Sequence, residues 1–128
     1  MDPNTLNLIK GAAGAGGEEE VKYVEQVFNT FLYIGNDTVD RVVENGLDLS
    51  ASGPGGLVWV KHRDSDGKNH ILTDTVRGAG KNIISNDIDV EATDTNKLKS
   101  FTSNGFTLGD NDELNGINNQ YVAWTFLR

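Results

Sequence analysis

The chain of 128 residues has no cysteine, one methionine, two prolines and two histidines. Without a thiol there is no disulfide scaffold, no Cys-ligated zinc centre and no thiol catalysis. No apolar run approaches the roughly 18 residues of a membrane-spanning helix, so membrane insertion is not expected. The opening Met1-Asp2-Pro3-Asn4 has neither a basic stretch nor an apolar core behind it and does not read as a signal peptide. Positive charge is scarce as well: eleven Lys and Arg stand against nineteen Asp and Glu, a formal net charge of -8. Affinity for nucleic acid comes mainly from cations that neutralise phosphates, so this balance speaks against such a partner. What remains is an acidic chain whose length suits one domain of roughly 100–150 residues.

Residues 1–20 differ from the rest. Asn4-Thr5-Leu6-Asn7-Leu8-Ile9-Lys10 is followed by Gly11-Ala12-Ala13-Gly14-Ala15-Gly16-Gly17 and then by Glu18-Glu19-Glu20. The Gly/Ala run has no side chain large enough to anchor it, and glycine loses the most entropy on ordering. Two readings fit: a loose tail, or a docking peptide in which Leu6, Leu8 and Ile9 fill pockets on a partner. A phosphate loop does not fit, because no Gly-Lys-Ser/Thr follows and no strand precedes.

From Val21 onward the signals are β. Residues 27–34, Val-Phe-Asn-Thr-Phe-Leu-Tyr-Ile, are rich in aromatic and β-branched types and stop at the turn cluster Gly35-Asn36-Asp37. Residues 38–43 form a second candidate strand, closed by Asn45-Gly46. Residues 57–61 are apolar on both faces, as in a central strand. Residues 64–69 read as the turn that returns this strand into residues 70–74. Residues 76–99 are polar and poorly periodic, with a candidate short helix starting at residues 90–94. Asn104-Gly105 is the expected turn between two short strands of residues 100–109. Residues 121–127 alternate Val122, Trp124 and Phe126 against Tyr121, Ala123, Thr125 and Leu127. Short strands at this spacing predict an all-β body, a sandwich or jelly-roll-like domain over residues 21–128, preceded by an extended, Gly-rich segment.

The residues that carry chemistry form no complete motif. His62 and His70 flank the 64–69 turn and could meet across it with Asp64 or Asp66, yet a metal site needs a defined set of three or four ligands. Asp64-Ser65-Asp66-Gly67 is similar to the start of a calcium loop, but the twelfth position is Thr75 rather than Glu. Asp110-Asn111-Asp112-Glu113 reads as a solvated acidic turn. Gly78-Ala79-Gly80-Lys81 lacks the upstream Gly and the following Ser/Thr of a P-loop. No serine lies in a Gly-x-Ser-x-Gly context, and the acids sit in turns rather than in apolar settings that would raise one pKa. No catalytic residue, metal or cofactor is therefore expected, and calcium has no complete loop in its favour. Trp59 and Trp124 lie inside apolar runs and are expected to fill the core. A sugar-stacking platform is the alternative, which makes both candidate glycan contacts.

Residues 2–17, from Asp2-Pro3-Asn4-Thr5-Leu6 to Gly14-Ala15-Gly16-Gly17, resemble the N-terminus of large virion structural proteins of marine, cyanophage-like tailed phages. Gly56-Leu57-Val58-Trp59-Val60-Lys61, Leu72-Thr73-Asp74-Thr75-Val76-Arg77-Gly78, residues 101–109 and Tyr121-Val122-Ala123-Trp124-Thr125-Phe126 resemble the β-rich module of those proteins, in the same order. The resemblance implies a virion structural protein made in the host cytoplasm, with no catalytic residues. It implies docking on tail or neck proteins, or alternatively on the capsid, through Asp2, Pro3, Asn4, Leu6, Leu8, Ile9, Gly14 and Gly16. It further implies a homotrimeric tail fibre and an outward part that reaches host-surface glycans. Relatives continue past the Tyr-Val-Ala-Trp-Thr-Phe strand, whereas this sequence stops at Arg128. That is expected either of the particle-proximal piece of a longer fibre or of a short anchor or head decoration protein.

Overall fold

Turn chemistry divides the body before any long-range contact is considered. Asp37, Asp40 and Asn118 take positive φ, a conformation that Asp and Asn tolerate best among residues with a side chain. Gly105 takes φ 147° at the predicted Asn-Gly turn, where a Cβ would overlap the carbonyl oxygen of Val43. Gly35 ends the first strand so close to the Gly116 carbonyl that a side chain there would collide with it.

A computed structural model describes residues 23–128. After a 3-10 turn at Val24–Gln26 come β1 (Phe28–Ile34), β2 (Arg41–Glu44), β3 (Gly56–His62), β4 (His70–Asp74), β5 (Lys81–Ile84), β6 (Ala92–Thr93), β7 (Leu98–Thr102), β8 (Gly105–Leu108), a one-turn helix α1 (Asp112–Asn115) and β9 (Gln120–Leu127). They form two antiparallel sheets: a large one in the order β1-β9-β3-β4-β5-β6 and a small one in the order β2-β8-β7. The all-β class expected from the sequence is the observed one. The core combines Tyr33, Val58, Val60, Ile71, Tyr121 and Ala123 of the large sheet with Val43, Leu98, Phe106 and Leu108 of the small one.

Three local expectations are corrected. The second strand starts at Arg41 rather than Thr38, because Asp40 is left-handed and Asn36 Oδ1 accepts the Thr38 amide, which holds residues 36–40 in a turn. The candidate helix starting at residues 90–94 does not form. There, β6 pairs Ala92 and Thr93 with Asn82 and Lys81, and Lys81 Nζ donates to Thr93 Oγ1 at 2.7 Å. The acidic turn Asp110-Asn111-Asp112-Glu113 instead opens α1: Asn111 Oδ1 accepts the Glu113 amide, and both acids stand at the positive end of the turn.

Asn115, the last residue of α1, ties the two sheets together. It is fully buried. Its Oδ1 accepts from the Asn36 amide and from Arg41 Nη1, and its Nδ2 donates to the carbonyls of Thr38 and Gly109. Every polar position of the amide is thus used. Asn115→Ala is expected to destabilise the domain by at least about 3 kcal/mol, since each buried polar group left unpaired costs about 1–3 kcal/mol. Urea unfolding followed by circular dichroism would measure it, with the m-value unchanged.

Candidate functional site: the outer face of the large sheet

Alternation along a strand sends successive side chains to opposite faces. On β9, Tyr121, Ala123 and Thr125 are fully buried and face the small sheet, so Val122, Trp124 and Phe126 face away from it, with Val122 still buried among its neighbours on that side. The register then fixes the outer face row by row. Phe28, Phe126, Leu57 and Asp74 lie across the sheet in one row; Thr30, Trp124, Trp59, Leu72 and Ile83 in the next; Leu32, Val122, Lys61 and His70 in the third; Ile34 and Gln120 in the fourth. Among the described residues no element packs over this face as the small sheet packs over the other one. Leu32 and Ile34 are 59% and 60% exposed and Phe126 is 40% exposed. The rings of Phe28 and Phe126 are 4.9 Å apart, and those of Trp59 and Trp124 are 5.4 Å apart at 72°.

The two tryptophans are therefore half-buried on the outer face rather than in the core. The expectation that they fill the core is corrected. The reason lies in β9 itself: its mixed face is the one that closes on the small sheet. Trp59 Nε1 donates to His70 Nδ1 at 2.8 Å, which places His70 on the outer face as well. His62 faces the core. Lys61 pairs with His70, so His62 lies one residue out of phase and on the other side of the sheet. The two histidines do not converge. His62 Nδ1 lies 2.9 Å from Asp64 Oδ1 without the alignment of a hydrogen bond. Among the described residues no three histidine or acidic side chains gather where they could share a cation. Asp2, Pro3, Asn4, Leu6, Leu8, Ile9, Gly14 and Gly16 lie outside the described residues.

An open cleft of about 510 Å³ is walled by Leu49, Ser50, Pro54, Thr75, Lys99 and Arg128 among others. None of its lining residues is an acid or a histidine, so it assembles no general acid–base pair.

Titratable groups concentrate instead beneath α1. Tyr33 and Tyr121 stack at 5.2 Å with nearly parallel rings. The Tyr33 hydroxyl donates to the Leu114 carbonyl at 2.7 Å, while the Tyr121 hydroxyl donates to the Asp112 carbonyl and accepts the Gly116 amide. Burial pushes the Tyr33 phenol well above its ordinary value, the neighbouring Tyr121 adds to this, and Arg41 opposes it. Burial raises Tyr121 too. At the surface Lys68 donates to Asp112 at 2.6 Å, which holds that carboxyl below and that ammonium above the usual range. Asp48 is lowered by the hydroxyl and amide of Ser50, both of which it accepts. These bonds fix turns and a helix end, and none is aimed at an empty site.

The fold and this face define a class: a two-sheet, all-β domain with one largely apolar sheet face over which no element packs among the described residues. Residues 24–128 match the model of a family described as a domain of unknown function, DUF7483, and the chain belongs to that family. Comparisons with curated proteins and with solved structures find no match.

The buried tyrosines set an alkaline limit. The folded pKa of Tyr33 exceeds that of the unfolded chain, so below about pH 10 both states keep the proton and the stability is intact. As pH rises past that value, the unfolded chain releases a proton that the native one retains, and stability falls. Tyr33→Phe is expected to make this decline shallower, with Tyr121 still contributing. The same change should cost about 1–3 kcal/mol at neutral pH by leaving the Leu114 carbonyl unpaired. Urea melts at several values between neutrality and about pH 11 would show both effects.

Proposed function

We propose that this chain is a structural protein of a phage particle, the particle-proximal domain of a tail fibre. In this reading it docks on tail or neck proteins through residues 1–17 and works by assembly rather than turnover. The observation that carries the reading is the outer face of the large sheet, where exposed Leu32, Ile34 and Phe126 stand beside half-buried Phe28, Trp59 and Trp124 on a protein of net charge -8. Exposed apolar patches of this kind mark contact surfaces. The resemblance to virion proteins supports it independently of the face. Its motifs fall on β3, on β4 and the turn after it, on the β7–β8 hairpin and on β9, the strands and turns that build the body.

A second reading, a module for host-surface glycans, takes its support from the position of Trp59 and Trp124 side by side on the outer face. Their rings meet edge to face at 72°, so the pair offers no flat double platform for a sugar. Titration with host-surface polysaccharide is therefore expected to leave tryptophan emission unchanged. A saturable shift abolished by Trp59→Ala or Trp124→Ala would favour the glycan module.

Deleting residues 1–17 should leave the far-UV circular dichroism of the body intact and abolish incorporation into particles. Incorporation of the truncated chain would refute docking through that segment. Immunogold electron microscopy with antibody against residues 21–128 should label the tail, whereas label over the head would make this a head decoration protein.

A further inference from the structure

Sheet edges are the places where one β protein can add to another, and natural proteins usually blunt them. Of the four edge strands among the described residues, three are blunted. β6 is two residues long. β2 carries Arg41 and Glu44 at its ends. β7 carries Lys99 and a register shift between Leu98 and Ser100. β1 is different. Its seven residues, Phe-Asn-Thr-Phe-Leu-Tyr-Ile, contain no charge and no proline, and its pairing with β9 is unbroken from Phe28 to Ile34.

The ladder also shows which groups of β1 are free. The Gly35 amide donates to the Asn119 carbonyl, and the Leu127 amide donates to the Val27 carbonyl. The odd-numbered residues of β1 therefore bond to β9, and Phe28, Thr30 and Leu32 point their N–H and C=O groups away from it. Beyond them, the Ile34 carbonyl is taken by Arg41 Nη1. The free run is thus centred on Thr30, with Phe28 and Leu32 equally spaced on either side.

The edge is complementary to a second copy of itself: antiparallel pairing about Thr30 sets Phe28 against Leu32, apolar against apolar, while charge limits where the two copies can touch. Two copies of a chain with net charge -8 repel, so they can meet closely only where charge is absent. On the outer face, β1 and β9 present Phe28, Thr30, Leu32, Ile34, Gln120, Val122, Trp124 and Phe126, all uncharged, and the first charged side chains, Asp74 and Lys61, lie on strands farther from the edge.

We infer that β1 pairs antiparallel with β1 of a second copy of this chain, about a two-fold axis at Thr30. Thr30 then exchanges both backbone hydrogen bonds with Thr30 of its partner, and Phe28 exchanges both with Leu32 in each direction. The two large sheets become one, and their apolar outer faces meet edge to edge. Such an interface is isologous and closed, because the same strand serves both sides. It goes beyond the virion reading and does not depend on it, and it sets a two-fold against the three-fold that the resemblance implies.

The test uses the full chain of residues 1–128. Sedimentation equilibrium should give twice 13.9 kDa. Leu32→Lys, at a side chain already exposed, should weaken the dimer at least tenfold without altering the circular dichroism. Thr30→Pro removes a donor that points to the free edge, a position at which edge strands accept proline, and should do the same. Because the chain has no cysteine, Thr30→Cys takes a single nitroxide label. Two labels flanking the axis should broaden the spectrum, and dilution with unlabelled protein should remove the broadening. A trimeric mass overturns the inference. So does a dimer that is insensitive to Leu32→Lys and shows no broadening. A monomer overturns it as well, including one that dimerises only after residues 1–17 are deleted, since that would place the chain's own N-terminal segment on the edge.

Discussion

The hydroxyl of Tyr121 decides which way the large sheet faces. Held by the Asp112 carbonyl and the Gly116 amide at the end of α1, it points β9 inward at that residue. Alternation then commits every neighbour: Ala123 and Thr125 go in, Val122, Trp124 and Phe126 go out. A slip of one residue would reverse the set and place two bulky rings where Ala123 and Thr125 now fit. Since β9 pairs with both β1 and β3, the same decision passes through the registers to Phe28, Leu32, Leu57 and Trp59. The uncovered apolar face follows from one buried hydroxyl and the pleat.

Around that point the polar network does the positioning and the apolar core supplies the driving force. Asn115 holds the β1–β2 turn and the segment before α1 against the body through four side-chain hydrogen bonds. Tyr33 and Tyr121 stack beneath it with both hydroxyls bonded to main chain. Fully satisfied networks of this kind specify one packing, because any shift strands a buried group at a cost of about 1–3 kcal/mol. The short helix exists for the same reason. At four residues it has little stability of its own, and its cap at Asn111 and the buried Leu114 and Asn115 hold it in place.

Much of this fold was legible in the sequence, and the exceptions have physical causes. β1, β3, β4, the β7–β8 hairpin and β9 are apolar or β-branched runs closed by Gly, Asn or Asp, and local chemistry marks them. β5 and β6 are not marked, because their pairing is decided elsewhere: Asn82 looks like a loop residue until its Oδ1 accepts the Thr73 hydroxyl in the buried interior. The candidate helix at residues 90–94 failed for the same reason, a tertiary pairing overriding a weak local preference. The face assignment of Trp59 and Trp124 was out of reach by a different route. Hydrophobicity points both toward a core, and only the register of Tyr121, a long-range fact, sends them outward. A signal for the free edge was present in the uncharged run Phe28 to Ile34, but its meaning required knowing that β1 stands at the margin of its sheet.

The distribution of charge completes the physical account of the face. Four cations of this acidic chain are drawn into local pairs: Lys68 with Asp112, Lys97 with Glu113, Lys99 with Asp40, and Arg77 with Asp74 and Glu91. Most of these pairs lie at exposed turns and strand ends, where each is worth about 1 kcal/mol or less. None of these pairs lies on β1 or on the outer side of β9, and the cation that does reach β1, Arg41, sits at the far end of the strand on the Ile34 carbonyl. A partner approaching that surface meets apolar side chains and, at its margin, unpaired backbone groups. Recognition there rests on shape and hydrogen-bond register rather than on attraction at a distance. Net repulsion between acidic bodies disfavours every approach except the one in which uncharged surfaces and complementary backbone groups meet. A free strand edge that would be an aggregation hazard on a neutral protein becomes, on this one, a selective contact.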